Sequence, residues 1–88
     1  MLKYVAEFIG TFVLLSAILR TGSALPIGMS LMVAAAIFGP VSGGNFNPAV
    51  SFTMLLDKQL TMGHFVPYVV AQVAGAYAAL LFYKKTSK

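Results

Sequence analysis

Apolar residues fill three long stretches of the chain, at residues 2–19, 25–39 and 64–83, and polar residues collect between them. Runs this long and this poor in charge predict bilayer-spanning helices, because about 20 apolar residues at 1.5 Å each cover a hydrocarbon core of about 30 Å. Lys3 and Arg20 bracket the first run as interfacial stops. Thr21-Gly22-Ser23-Ala24 reads as a turn, and Pro26 opens the second run. Pro40 and the glycines after it are expected to end that run at about Gly39. The third run begins at His64 with Pro67 in its first turn, and Lys84, Lys85 and Lys88 follow it as headgroup anchors.

The pattern breaks at Ser42-Gly43-Gly44-Asn45-Phe46-Asn47-Pro48-Ala49-Val50-Ser51, a polar, glycine-rich segment inside an apolar chain. Asn47 has the side chain of a helix N-cap, and Pro48 stands at the first helical position, where its missing N–H costs nothing. From Pro48 to Leu56 the residues suit a helix of about nine residues, which rises only about 14 Å. That is half a bilayer core. Asp57-Lys58-Gln59-Leu60-Thr61-Met62-Gly63 is then polar enough to regain the surface, so residues 42–56 form a re-entrant loop and half-helix that leave by the face they entered. The expected fold is an all-α membrane protein, one unit over residues 1–88, with three transmembrane helices plus one re-entrant half-helix.

Composition narrows the function. With 59% hydrophobic and 9% charged residues, the chain is an integral, multi-pass membrane protein, since soluble domains carry about a quarter charged residues. The absence of cysteine excludes disulfides and thiolate metal sites, and one histidine with two carboxylates argues against an enzyme, a metal or a cofactor. The net charge of +4 gathers near the ends of the runs, where it suits the anionic headgroups of a lipid bilayer and not a nucleic acid. No cleavable signal is evident, because the first run carries Glu7 and lacks a cationic leader. Three spans put Lys3 and Lys58 on one face and Arg20, Lys84, Lys85 and Lys88 on the other. That bias is weak, so insertion in both orientations is expected.

Several side chains stand out against the apolar background. Glu7 lies more than a turn inside the first span, where a carboxylate needs donors or a cavity. It reads as the acceptor for unpaired N–H groups of the loop before Asn47, the alternative being a headgroup-level residue that snorkels to water. Ala6, Gly10 and Ala17 permit close helix contact, Gly28 and Ala34-Ala35-Ala36 slim the second span, and Ala71, Gly75 and Ala79 repeat at four-residue spacing on the third. Tyr68, Tyr77 and Tyr83 read as belt or packing residues, and His64 as an interfacial bystander.

Taken together these residues resemble the N-terminal half of the aquaporin and glycerol-facilitator family, the major intrinsic proteins. Ala6-Glu7-Phe8-Ile9-Gly10-Thr11-Phe12 is similar to that family's first helix, and Ser42-Gly43-Gly44 with Asn47-Pro48-Ala49-Val50-Ser51 to its first Asn-Pro-Ala loop. Ala71-Gln72-Val73-Ala74-Gly75-Ala76 is similar to its third helix. The resemblance implies half of a six-helix inverted-repeat fold, in which two half-helices meet at the midplane around one pore. It implies a passive channel for water or small neutral solutes such as glycerol. A half-repeat alone would leave its polar loop facing lipid, so the implied partner is a second copy in the opposite orientation, an antiparallel homodimer, with up to four such dimers together.

On that resemblance the pore residues are Asn47, Pro48, Ala49 and Val50 at the half-helix tip and Gly43, Gly44, Asn45 and Phe46 in the loop, with Ile27 and Ala35 as further constriction positions. Glu7 and Gln72 support the loop, and backbone carbonyls from Ser42 to Phe46 offer acceptors in a row. Two departures matter: Val50 stands where the family's second loop carries an arginine, and Asn45 replaces its usual histidine. Without a cationic donor the filter is expected to be wide and tolerant of glycerol-like solutes. Three competing readings remain: a non-conducting half that serves another membrane polypeptide, a small dual-topology transporter coupled through Glu7, and a cation channel, which the lack of an acidic ring disfavours.

Overall fold

The computed structural model describes residues 1–87 and contains four helices in order: α1 (Leu2–Thr21), α2 (Ala24–Ser42), α3 (Pro48–Leu56) and α4 (Met62–Thr86). Helices α1, α2 and α4 are long and apolar enough to cross a membrane, and α3 has only nine residues. The longest dimension is 43 Å, which fits the about 40–45 Å of a bilayer with its headgroups. Lys88, read as a headgroup anchor, lies outside the described residues.

Two helix ends differ from the sequence expectation. The α2 helix does not stop at Gly39 but continues through Pro40 to Ser42, because Gly43 supplies the left-handed cap at φ 87° and donates its N–H to the Gly39 carbonyl at 2.8 Å. Pro40 forgoes one hydrogen bond near the end of the helix, a small loss beside that cap. At its start α4 takes in Met62 and Gly63 with Thr61 as N-cap, so Pro67 falls in the second turn instead of the first. The end of α1 follows the expected pattern: Gly22 at φ 57° returns its N–H to the Ile18 carbonyl. Close by, the Arg20 guanidinium lies over the rings of Phe82 and Tyr83, at 5.1 and 5.8 Å, and donates to Thr86.

Helix α1 is central, packing on α2 along one side and on α4 along the other, and α3 rests against α4. Helices α1 and α4 approach closely at Gly75, where an added Cβ would stand 2.5 Å from the Phe8 carbonyl oxygen of α1. Gly75 and Ala79 of the small-residue stripe are buried in this contact, and Ala71 is half-buried. By contrast α2 leaves Leu25, Met29, Met32 and Ile37 exposed, the surface of a helix that meets lipid or another apolar face.

The interior is polar. Glu7, Thr11, Ser42, Asn45, Ser51 and Gln72 are buried beside Ala6, Ala34, Phe46, Tyr68 and Ala79. An apolar exterior around buried polar side chains is the arrangement a bilayer solvent favours, because inside it every polar group must find its partner within the protein.

Candidate functional site

The loop between α2 and α3 is held by one carboxylate. Glu7 is fully buried, and its Oε2 accepts from the Ser42 hydroxyl at 2.6 Å and the Asn45 N–H at 3.1 Å. Its Oε1 accepts from the Phe46 N–H at 2.7 Å and from the Gln72 amide at 2.8 Å. Four donors from three parts of the chain thus converge on one group, each worth about 1.5–3 kcal/mol when the acceptor is charged. The loop backbone bends to allow it: Gly43 and Gly44 have φ 87° and 65°, and Phe46 has φ 55°. A positive φ is unusual for a bulky residue and costs about 1–2 kcal/mol, which the Phe46 N–H bond to Glu7 and the burial of its ring offset.

The ring of Phe46 sits in the notch left by Gly10, where an added Cβ would fall 2.0 Å from Phe46 Cε1, and it meets Phe38 edge-on at 6.4 Å. Its side chain therefore faces the protein interior, not a lumen. Asn45 is likewise turned inward, its Nδ2 donating to Ser51 Oγ at 2.9 Å, where Gln72 Nε2 also donates at 2.8 Å. Of the carbonyl row, that of Ser42 accepts the Tyr68 hydroxyl at 2.6 Å. Those of Gly43, Gly44, Asn45 and Phe46 accept nothing from the described residues. The free acceptors thus begin one residue later than the sequence suggested.

At the tip of α3 the cap forms as its residues require. Asn47 Oδ1 accepts the Ala49 N–H at 2.7 Å, and the Asn47 carbonyl accepts the Ser51 N–H at 3.0 Å. The Asn47 amide NH2 has no acceptor among the described residues, and Asn47, Pro48 and Ala49 are all exposed. Val50 is half-exposed behind them. The tip is thus a cluster of free donors at the positive end of a helix dipole. The other constriction positions divide: Ala35 lies 3.6 Å from an added Cβ on Gly44, whereas Ile27, eight residues earlier on α2, is about 12 Å further along the helix.

Two cavities flank this core. One of about 420 Å³ opens at the α1 N-terminal end between Lys3, Gly43, Asn45, Gln59 and His64. Tyr4 Oη and His64 Nδ1, 2.7 Å apart, tie α1 to α4 there, a role the sequence reading of His64 did not foresee. The other, of about 360 Å³, lies beyond the α3 tip between Thr11 and Ile18 of α1 and Gln72 and Ala76 of α4. Sequence reasoning gave the Ser42 and Ser51 hydroxyls no role and read Tyr68 only as a belt or packing residue. A signal for Tyr68 existed: Tyr68, Gln72, Gly75 and Ala79 repeat at helical spacing, and all four are buried on one face of α4.

The sequence profile described as major intrinsic protein matches residues 1–88. The chain is 39% identical over 88 residues to a glycerol uptake facilitator protein-like 6 of Lactiplantibacillus plantarum, covering 90% of this chain and 41% of that protein. It is 41% identical over 92 residues to an aquaporin Z of Brucella melitensis, covering 88% of this chain and 40% of that protein. Identity to an aquaglyceroporin AqpS of Rhizobium meliloti is 38% over 92 residues, covering 86% of this chain and 40% of that protein. The chain therefore spans about two fifths of the length of these curated relatives. No solved structure matches it significantly.

Proposed function

This chain belongs to the major intrinsic protein family, and on that premise we propose that two copies inserted in opposite orientations form one passive pore for water and small neutral solutes such as glycerol. The observation that carries the reading is the α3 tip. A nine-residue helix ends about half a bilayer deep with an unpaired amide NH2 on Asn47, on a loop locked by Glu7. Such a donor suits the oxygen of a passing water or alcohol. The free carbonyls of Gly43 to Phe46 supply acceptors along the same path.

One protomer leaves this tip uncovered, and polar backbone open to lipid costs several kcal/mol per group. A second tip approaching from the opposite face would cover it and complete the pore. Two opposed helix N-termini would also raise a positive potential at the centre and disfavour cations, hydronium included. With Val50 directly after Asn47-Pro48-Ala49, the tip of α3 lacks a charged donor, which favours a pore tolerant of glycerol as well as water. The named likeness of the relatives to both glycerol facilitators and aquaporins supports that breadth.

The test is flux through liposomes holding the single purified chain, with water and glycerol measured on one preparation. Both are expected to cross without a proton gradient. Cysteines placed near residue 20 and near residue 60 should each label from both sides of the membrane. Failure to conduct, with labelling from one side only, would leave the chain as a half that serves another polypeptide.

A further inference from the structure

The cavity at the α1 N-terminal end has a wall of donors and a wall of acceptors, and both lack partners. Lys3 lines it half-buried, and no carboxylate does. Beside it begins α4, a helix of 25 residues whose N-cap Thr61 makes no side-chain cap bond. The N–H groups of Met62 and Gly63 accordingly have no acceptor among the described residues, and Thr61 and His64, on either side of them, both line the cavity. A Tyr4 hydroxyl that donates to His64 Nδ1 at 2.7 Å leaves the imidazole proton on Nε2, which also bonds to nothing among the described residues. A cation and free N–H groups at the positive end of a long helix suit an anion.

A helix start alone does not specify a ligand, and the second feature is Asn45. Its residue is only 8% exposed, yet it lines the same cavity. Its Nδ2 is committed to Ser51 Oγ, while its Oδ1, 3.7 Å from an added Cβ on Gly43, accepts from nothing among the described residues. Gly43 lines the cavity too, and its carbonyl is equally free. These acceptors call for donors on the ligand. Glu7, which accepts the Asn45 N–H at 3.1 Å from behind, repels an anion from this wall, so the negative charge belongs at Lys3 and α4 and the donors at Asn45. Hydroxyls meet that need without setting a second cation in the cavity with Lys3. The volume of about 420 Å³ is that of a small-molecule site, commonly about 300–1,000 Å³.

We propose that this cavity binds a phosphoglycerol group, with its phosphate on Lys3 and the N-terminus of α4 and its hydroxyls donating to Asn45 Oδ1 and the Gly43 carbonyl. Two sources carry that chemistry: the headgroup of phosphatidylglycerol and free glycerol phosphate. All of the contacts lie within one protomer, so the site stands or falls independently of how copies pair or whether they conduct.

The test is calorimetric titration of the whole chain in neutral detergent. Glycerol phosphate should bind about tenfold more tightly than propyl phosphate or inorganic phosphate, which lack the hydroxyls, because tenfold is the effect of one or two hydrogen bonds. Lys3→Gln should raise its Kd about tenfold at unchanged thermal stability, by loss of one charge-assisted contact. Lys58→Gln, which removes a cation that does not line the cavity, should leave Kd unchanged. Displacement of glycerol phosphate by added phosphatidylglycerol and not by phosphatidylcholine would make the lipid the source, and displacement by neither would make it the free ester; either supports the site. No binding of glycerol phosphate at millimolar concentration overturns it, as does equal affinity for propyl phosphate or tighter binding of phosphoethanolamine. Equal weakening by Lys3→Gln and Lys58→Gln overturns it too, since the cavity would then be only part of a diffuse positive surface.

Discussion

The Glu7 carboxylate and the Phe46 backbone N–H stand 2.7 Å apart across 39 positions of sequence, and that bond fixes the loop on which the proposed pore depends. Glu7→Gln keeps the size of the side chain but turns an NH2 toward a pocket already filled with donors from Ser42, Asn45, Phe46 and Gln72. At least one contact becomes donor against donor. The expected result is a loss of about 2–4 kcal/mol in detergent unfolding, with solute flux lost in parallel. Wild-type stability with loss only of proton-driven transport would mean that Glu7 couples protons and is not an anchor.

Gly10 and Gly75 both mark close approaches, but different atoms stand in the way, and their substitutions should behave differently. At Gly10 a methyl group meets the Phe46 ring at 2.0 Å; at Gly75 it meets the Phe8 backbone carbonyl at 2.5 Å. Gly10→Ala should destabilise by about 1–3 kcal/mol and be partly rescued by Phe46→Leu, which removes the obstructing ring atoms. Gly75→Ala should have no such rescue, since the obstacle is main chain. Thermal unfolding of the three single variants and the Gly10→Ala/Phe46→Leu double variant decides this.

Tyr68→Phe removes the 2.6 Å bond to the Ser42 carbonyl and nothing else of size. The expected cost is about 1 kcal/mol of unfolding stability. The freed carbonyl then joins those of Gly43 to Phe46, so flux should persist. A loss of flux at retained stability would show that Tyr68 does more than pin the end of α2.

How much of this could be read in advance depended on how local each cause is. The Asn47 cap and the Pro48 start of α3 are legible because a cap and its helix are neighbours in sequence. The three apolar runs are legible because about twenty residues without strong charge have few other destinations. At the end of α2, Pro40 and the glycines after it together signal a stop near Gly39, yet the left-handed Gly43 and not the proline sets where that helix stops. Gln72 enters as a loop support only through the family resemblance, and the atoms that it, Ser42 and Ser51 bond to were out of reach, since these contacts join positions 21 to 65 residues apart and depend on how the helices pack. The inward turn of Phe46 was hidden for a related reason: its positive φ is one that no propensity assigns to phenylalanine, and it exists only because Glu7 and the Gly10 notch hold it.

Asn47 carries two separable functions, and two substitutions divide them. Its Oδ1 caps α3 through the Ala49 N–H, while its NH2 is free to meet a solute. Asn47→Ala removes both, so it should lower stability by about 1 kcal/mol and reduce flux. Asn47→Asp keeps an oxygen for the cap at the positive end of the helix dipole, so stability should be nearly unchanged or slightly raised in the protomer. It also deletes the donor and adds a negative charge where two tips would meet. Water and glycerol flux should therefore fall while cation leak rises, and a dimer holding two opposed aspartates should associate more weakly. Stopped-flow osmotic measurements beside a cation-leak assay on the same vesicles read both outcomes. Equal loss of stability and flux in both variants would reduce Asn47 to a cap and remove the donor from the proposed mechanism.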